Sequence, residues 1–201
     1  MEPGGPNKPY VIDTASGVKL NLEDPQPEDI RIEDVAGGLS KVCRFAAQSL
    51  QYYSVAQHAL LVRDLVAKAG YPELVLAALH HDSHEAYLCD IPKPLKSKIS
   101  ASTDAYDRVC DAFDVAIAEA FGFEYLKKDS QERTIIKRAD NQAFLMEASQ
   151  LLPDGSEALR AAQELDGRAL RDLPDLDEPL APTEAERRFL GAHLHLTGGS
   201  L

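Results

Sequence analysis

The segment LVLAALHHDSHEAYLCD, Leu74 to Asp90, decides how this chain folds. Its first six residues, Leu74 to Leu79, are apolar on every face of a helix, and a helix apolar all round is a buried one. The same run then meets His80, His81, Asp82, His84 and Glu85, with Asp90 just beyond. Burying so much charge and imidazole without partners costs on the order of several kcal/mol per group. A bound metal ion offsets that penalty most readily, and it brings chemistry with it. Pro72 sits where a first-turn proline belongs, so one continuous helix is expected over 72–88.

Outward from this segment the pattern stays helical. Ser54 and Gln57 form an S-x-x-Q capping box ahead of Val55, Ala59, Val62 and Val66, which predicts a helix running to Ala69 and stopped by Gly70. Upstream, short helices are expected over 28–36 and 38–43. Downstream, Asp90-Ile91-Pro92-Lys93-Pro94-Leu95-Lys96 reads as a loop by its prolines. Tyr106, Val109, Phe113, Ile117 and Phe121 mark one face of a helix over 103–121. Ile136, Ala139, Ala143 and Met146 or Glu147 mark another, opened by Asp129 with Glu132 and ending at Leu151. A short helix over 156–164 and a last one over 183–195, opened by Thr183 and Glu186, complete the series. Residues 1–28 hold five of the twelve prolines and read as an arm, with short strands at Tyr10–Ile12 and Val18–Leu20. The expected class is all-α, a compact bundle of five or more helices with a short N-terminal arm. Its parts are the arm over 1–27, a core over 28–150, and a C-terminal helical extension over 151–201 packed on that core.

At 201 residues, 44% of them hydrophobic, the chain suits one domain with a real core. Twenty-one basic against 33 acidic residues leave a net charge of −12, which argues against a nucleic acid partner, because neutralising phosphates needs a basic face. Cys43, Cys89 and Cys110 are scattered, odd in number and free of any C-x-x-C, a reduced intracellular pattern. With no signal-peptide pattern and no apolar run approaching ~18 residues, a cytoplasmic protein off the membrane is expected.

The metal-ligand types fall on three predicted helices. His58 follows Val55 by three and precedes Leu61 and Leu65, so it faces inward; His81 and Asp82 end the apolar run; Asp140 lies among Ile136 and Ala143. A lone inward histidine is usually a satisfied core residue, but that reading weakens beside an adjacent His-Asp pair and an inward Asp. Two imidazoles and two carboxylates make a mixed nitrogen and oxygen set that suits one divalent transition metal, Mn, Co, Zn, Ni or Fe, over Ca or Mg. Glu85, three after Asp82 and four after His81, would share their helix face. Glu147 shares a face with Asp140. His80 reads as packing, while His193 and His195 lie in the tail away from the chemistry. Tyr53 and Tyr87 are candidates for stacking a base, with core packing the commoner use.

The pattern H…HD…D, here His58, His81-Asp82 and Asp140, resembles the HD-domain metal-dependent phosphohydrolases. The text SKVCRF from Ser40, YSVAQH from Tyr53 and HHDSHEAYLCDIPKPLK from His80 to Lys96 is similar to the YfbR-like branch, over roughly residues 28–150. That branch holds bacterial 5′-deoxynucleotidases and phage-encoded deoxynucleoside triphosphohydrolases. The resemblance implies an HD-type helical bundle in which His58, His81, Asp82 and Asp140 hold the metal. Glu85 and Asp90 would serve as the catalytic acid/base pair and Arg44 would meet the substrate phosphate. Lys93 and Lys96 would hold outer phosphates, with room for an additional divalent ion on those phosphates. His84 and Gln57 would touch substrate or support the ligands, Gln57 having the alternative role of a helix cap. The expected partner is a small-molecule deoxynucleotide, and relatives of this kind form homo-oligomers.

Within that reading the wording leans to a triphosphohydrolase, dATP favoured, over a 5′-deoxynucleotidase acting on dNMPs. Two alternatives remain open. One is a (p)ppGpp or cyclic-nucleotide hydrolase, although the HD-GYP string is absent; the other is a catalytically inactive nucleotide-binding module. One departure stands out: many relatives carry polar or glycine residues after the arginine–aromatic pair, where this chain has Ala46-Ala47-Gln48.

Overall fold

Gly17, at φ 85°, lets the chain reverse between two three-residue strands, β1 (Val11–Asp13) and β2 (Lys19–Asn21), paired antiparallel with Ile12 opposite Leu20. The computed structural model describes residues 10–199. Nine α-helices follow the hairpin among the described residues: α1 (Ile32–Lys41), α2 (Val55–Lys68), α3 (Val75–Leu79), α4 (Glu85–Leu88), α5 (Lys93–Ser100), α6 (Ala105–Phe121), α7 (Gln131–Leu151), α8 (Glu157–Asp166) and α9 (Pro182–Thr197). The protein is an all-α bundle with one small hairpin. No helix of the described residues is long and apolar enough to cross a membrane.

Three apolar clusters hold the elements together. The largest joins Leu20 of the hairpin, Val35 and Leu39 of α1, Val55 and Ala59 of α2, Leu79 of α3, Phe113 and Ile117 of α6, and Ala185 and Phe189 of α9. A second joins Val62 and Val66 of α2, Val75 and Ala78 of α3, and Ile136 and Ala143 of α7. A third seats Leu159 and Ala162 of α8 on Leu145 and Ala148 of α7. The hairpin, through Leu20, and α9, lying against α1 and α2, therefore complete the main core rather than standing beside a finished unit.

The structure redraws several helix boundaries. The expected helix over 72–88 breaks into a 3-10 turn (Pro72–Leu74), α3, a tight stretch over 80–84, and α4. In that stretch the amides of Ser83, Glu85, Ala86 and Tyr87 reach back three residues, to His80, Asp82, Ser83 and His84. The Ser83 hydroxyl pairs with His80 Nδ1 at 2.8 Å, the kind of local side-chain bond that competes with a regular helix. Conversely, the two short helices expected over 28–43 include one helix, α1, that runs straight through Gly37 and Gly38. Gly38 is there for space: a Cβ would lie 2.8 Å from the Ala86 carbonyl and 2.9 Å from the Ala86 Cβ, because α1 and α4 nearly touch. The loop expected over 90–96 holds the start of α5. α7 is capped by Ser130, which accepts from Arg133 N, rather than by Asp129; α9 starts on Pro182 without a side-chain cap rather than on a Thr183 box.

Candidate metal centre

α2, the 80–84 turn and α7 converge on one point. His58 Nε2 lies 3.3 Å from His81 Nε2, 3.6 Å from Asp82 Oδ2 and 3.3 Å from Asp140 Oδ1. His81 Nε2 is 3.1 Å from Asp82 Oδ2 and 4.0 Å from Asp140 Oδ1. One donor atom from each of the four residues falls within 4.8 Å of all the others. The four residues predicted as ligands are thus gathered in a group that could hold a metal ion.

The tautomers support that fit. His81 Nδ1 lies 2.9 Å from the Ala78 carbonyl, which can only accept, so Nδ1 carries the proton and Nε2 of the neutral ring carries a lone pair. His58 Nδ1 lies 2.7 Å from Glu147 Oε1 and donates to it. The two Nε2 atoms then lie 3.3 Å apart with the Asp82 and Asp140 carboxylates beside them, a grouping that a shared cation or proton holds together. Imidazoles whose second nitrogen donates to a carboxylate or carbonyl are the usual metal-ligating kind. Burial and the Arg44 cation press the His58 pKa down, but Glu147, Asp140 and Asp82 outweigh them and hold it well above its ordinary range. The Asp82 and Asp140 carboxyls lie below theirs: burial opposes this, and His81 and His58 prevail.

Glu147, fully buried on α7, organises the next layer. Its Oε1 holds His58, and its Oε2 accepts from Arg44 Nε at 3.1 Å and Nη2 at 3.0 Å. Arg44 Nη1 reaches Asp90 Oδ2 at 3.5 Å. Arg44 opens a turn in which Phe45, Ala46 and Ala47 all have left-handed backbone, φ 56°, 51° and 61°. Each such non-glycine residue costs roughly 1–2 kcal/mol. This gives the Ala46-Ala47 departure a physical meaning, since glycine would adopt that backbone without strain.

Glu85 and Asp90 flank the cluster on the α4 side. Burial, then Asp82 and Asp90, push the Glu85 carboxyl well above its usual range, and its Oε2 is buried without a protein partner. Asp90 is also raised, by burial first and Asp82 next, with Arg44 opposing. A carboxyl raised in this way keeps its proton to a higher pH, which suits a group that hands its proton to a leaving oxygen. His84 Nδ1 is 2.8 Å from Asp114 Oδ1, while its Nε2 and the nearby Tyr106 hydroxyl are buried without partners. Lys96 lies over the Tyr106 ring, and Lys93 is exposed at the start of α5.

One predicted site residue lies elsewhere. Gln57 spends both ends of its amide on backbone, Nε2 on Glu178 O at 3.0 Å and Oε1 on Leu180 N at 2.8 Å, so it pins the segment before α9 instead of reaching substrate. Tyr53 is core, and Tyr87 packs on Phe113. His193, read from sequence as an inert tail residue, is buried with its Nδ1 2.9 Å from His80 Nε2; His195 is exposed. Beside the cluster opens a pocket of about 130 Å³, lined among others by Asp114, Tyr125, Arg133 and Lys137. Neither cation is among the residues expected from the sequence to meet substrate. Their signal was available: Arg133 and Lys137 precede Asp140 by seven and three residues on one helix face.

No family model matches the chain. The chain is similar to the uncharacterized protein YfdR of Escherichia coli (strain K12), 38% identical over 146 residues that cover 72% of this chain and 75% of YfdR. It is also similar to the uncharacterized protein RCAP_rcc00048 of Rhodobacter capsulatus, 40% identical over 141 residues that cover 68% of this chain and 70% of that protein.

Proposed function

The chain belongs to the family of the uncharacterized proteins YfdR and RCAP_rcc00048. From its own His/Asp cluster we propose that it is a metal-dependent deoxynucleotide phosphohydrolase of the HD-domain kind. The favoured substrate is a deoxynucleoside triphosphate, dATP first. Water adds to the α-phosphorus, the 5′ oxygen leaves and takes up a proton, and the products are deoxynucleoside and triphosphate. The observation that carries this reading is the convergence of four donor atoms, the His58 and His81 Nε2 atoms 3.3 Å apart, joined by Asp82 and Asp140 and backed by Glu147.

His58, His81, Asp82 and Asp140 would hold the ion. When bound, a divalent transition metal supplies Lewis acidity, which makes water a nucleophile near neutral pH and draws charge from a phosphoryl oxygen. Glu85 orients the attacking water or exchanges its proton, and Asp90 protonates the leaving oxygen or holds that water. Arg44, oriented by Glu147 and Asp90, offers its remaining N–H groups to the phosphate; a guanidinium fork suits that task. Lys137, paired with Asp140 at 2.5 Å, adds positive charge at the mouth.

The test is to incubate metal-free protein with Mn²⁺, Co²⁺ or Zn²⁺ and panels of dNMPs, dNTPs and NTPs, separating products by anion exchange. Nucleoside plus inorganic triphosphate is the expected outcome. Nucleoside plus phosphate from dNMPs alone would redirect the reading to a 5′-deoxynucleotidase. No turnover, with the Asp82→Ala variant behaving identically, would sink the hydrolase reading and leave a binding module.

A further inference from the structure

Arg133 is a half-buried guanidinium with an unusual lack of partners. Its Nη1 donates to the Leu126 carbonyl at 3.0 Å, which fixes its orientation, and no carboxylate lies within 4 Å of it among the described residues. The chain carries 33 acidic residues against 21 basic ones, and most of the other arginines are ion-paired. Arg133 also lines the pocket that contains His81, Asp82 and Asp140. An oriented, uncompensated guanidinium facing a site pocket is a receptor for an anion.

Its distance from the metal cluster sets what kind of anion. Arg133 and Asp140 are seven residues apart on one regular helix, a separation of about 10 Å along the axis. That rise is longer than one phosphate and comparable to a chain of three, and Lys137 lies between the two positions on the same pocket wall. The opposite side of the cluster suits extra negative charge poorly. There Arg44 is already shared by Glu147 and Asp90, and Glu85 adds a further carboxyl. We propose that Arg133 anchors the terminal phosphate of a polyphosphate chain and so acts as a length gauge that selects nucleoside triphosphates over monophosphates. The outer phosphates then run along α7 towards Tyr125 and Arg133 rather than towards Lys93 and Lys96.

This rests on the phosphohydrolase reading for its biology, but binding can be measured without turnover. Calorimetry on Mn²⁺-loaded protein would compare inorganic tripolyphosphate with orthophosphate, for the wild type, Arg133→Gln and Arg133→Lys. Tripolyphosphate should bind at least about tenfold more tightly than orthophosphate. Arg133→Gln should remove that margin and leave orthophosphate binding unchanged, and Arg133→Lys should keep part of it. Equal tripolyphosphate affinity in wild type and Arg133→Gln would overturn the proposal, as would an equal loss for both probes. The dNTP and dNMP panel, run alongside, separates the two readings. Arg133-dependent tripolyphosphate binding without nucleotide turnover keeps the anchor and rejects the hydrolase; turnover of triphosphates indifferent to Arg133→Gln does the reverse.

Discussion

α7 and the stretch from His80 to Asp90 build the same site by opposite means. α7 is 21 residues of unbroken helix, and its Arg133, Lys137, Asp140 and Glu147 form one stripe by spacing alone. The His80–Asp90 stretch has almost no regular structure: a tight turn, the four-residue α4, and Cys89 at φ 66°. Its side chains are aimed by what packs on them, with Gly38 beneath Ala86, His193 against His80 and Asp114 against His84. The difference teaches that a helix can hold a ligand through its own backbone, whereas a turn must borrow its rigidity from neighbours.

Substitutions on the two sides should fail differently, and the largest effects set the contrast. Asp140→Ala should abolish both turnover and bound metal, measured by elemental analysis of the dialysed protein. Glu85→Gln should keep the metal yet lower kcat by about 10²–10⁴, the usual worth of a positioned acid or base. Metal lost from Glu85→Gln as well would break the distinction. Next in size, Glu147→Gln should weaken metal affinity by about 10–100-fold, because it orients His58 without being a ligand. A chelator competition titration reads this directly.

Gly38→Ala tests the borrowed rigidity. The new methyl must displace the α4 backbone at Ala86, so stability should fall by about 1–3 kcal/mol and kcat should fall with it, while metal content holds. Urea melts and metal analysis on the same sample check both halves. An unchanged kcat would show that the turn keeps its geometry unaided.

His80 offers a gentler probe through pH. Burial first, then His193 and His81, hold its pKa well below 6.5, so the folded ring resists a proton that the unfolded chain accepts. Its contribution to stability is full above pH 6.5 and is lost as pH falls from there towards the depressed native value. The stability gap between wild type and His80→Gln should therefore narrow on acidification, measured by denaturant melts across that range. A gap that widens would mean that His80 is charged in the fold. The smallest effect belongs to the left-handed turn: Ala46→Gly should raise stability by up to about 1 kcal/mol, strain relief minus the greater freedom of an unfolded glycine.

This contrast also explains what could be read in advance. The repeats of Phe113 and Ile117, and of Ile136 and Ala143, fall at helical spacing, so α6 and α7 were legible to within a few residues, and with α7 the inward aim of Asp140 and Glu147; the Val55, Ala59 and Val62 repeat of α2 did the same for His58. The break at His80 was not, because apolar Leu74–Leu79 and the His-Asp run after it satisfy one continuous helical template; only Ser83 and the packing of α1 separate them. Gly37-Gly38 read as a helix boundary because glycine lowers helix propensity, while the actual demand was for room. Gln57 and His193 misled for a shared reason. Their partners, Glu178 with Leu180 and His80, lie more than a hundred residues away, and no local pattern announces a contact of that range.

The place of α9 has a consequence for how the protein is made. Synthesis delivers His58, His81, Asp82 and Asp140 well before Ala185, Phe189 and His193, yet the main core and the His80 contact need all three of the later residues. A nascent chain that already carries all four residues of the cluster therefore has its largest apolar cluster open to solvent until α9 leaves the ribosome. Stalling translation before the codons of α9 are read would yield a chain with its candidate site residues complete and its core unfinished, a natural client for chaperones.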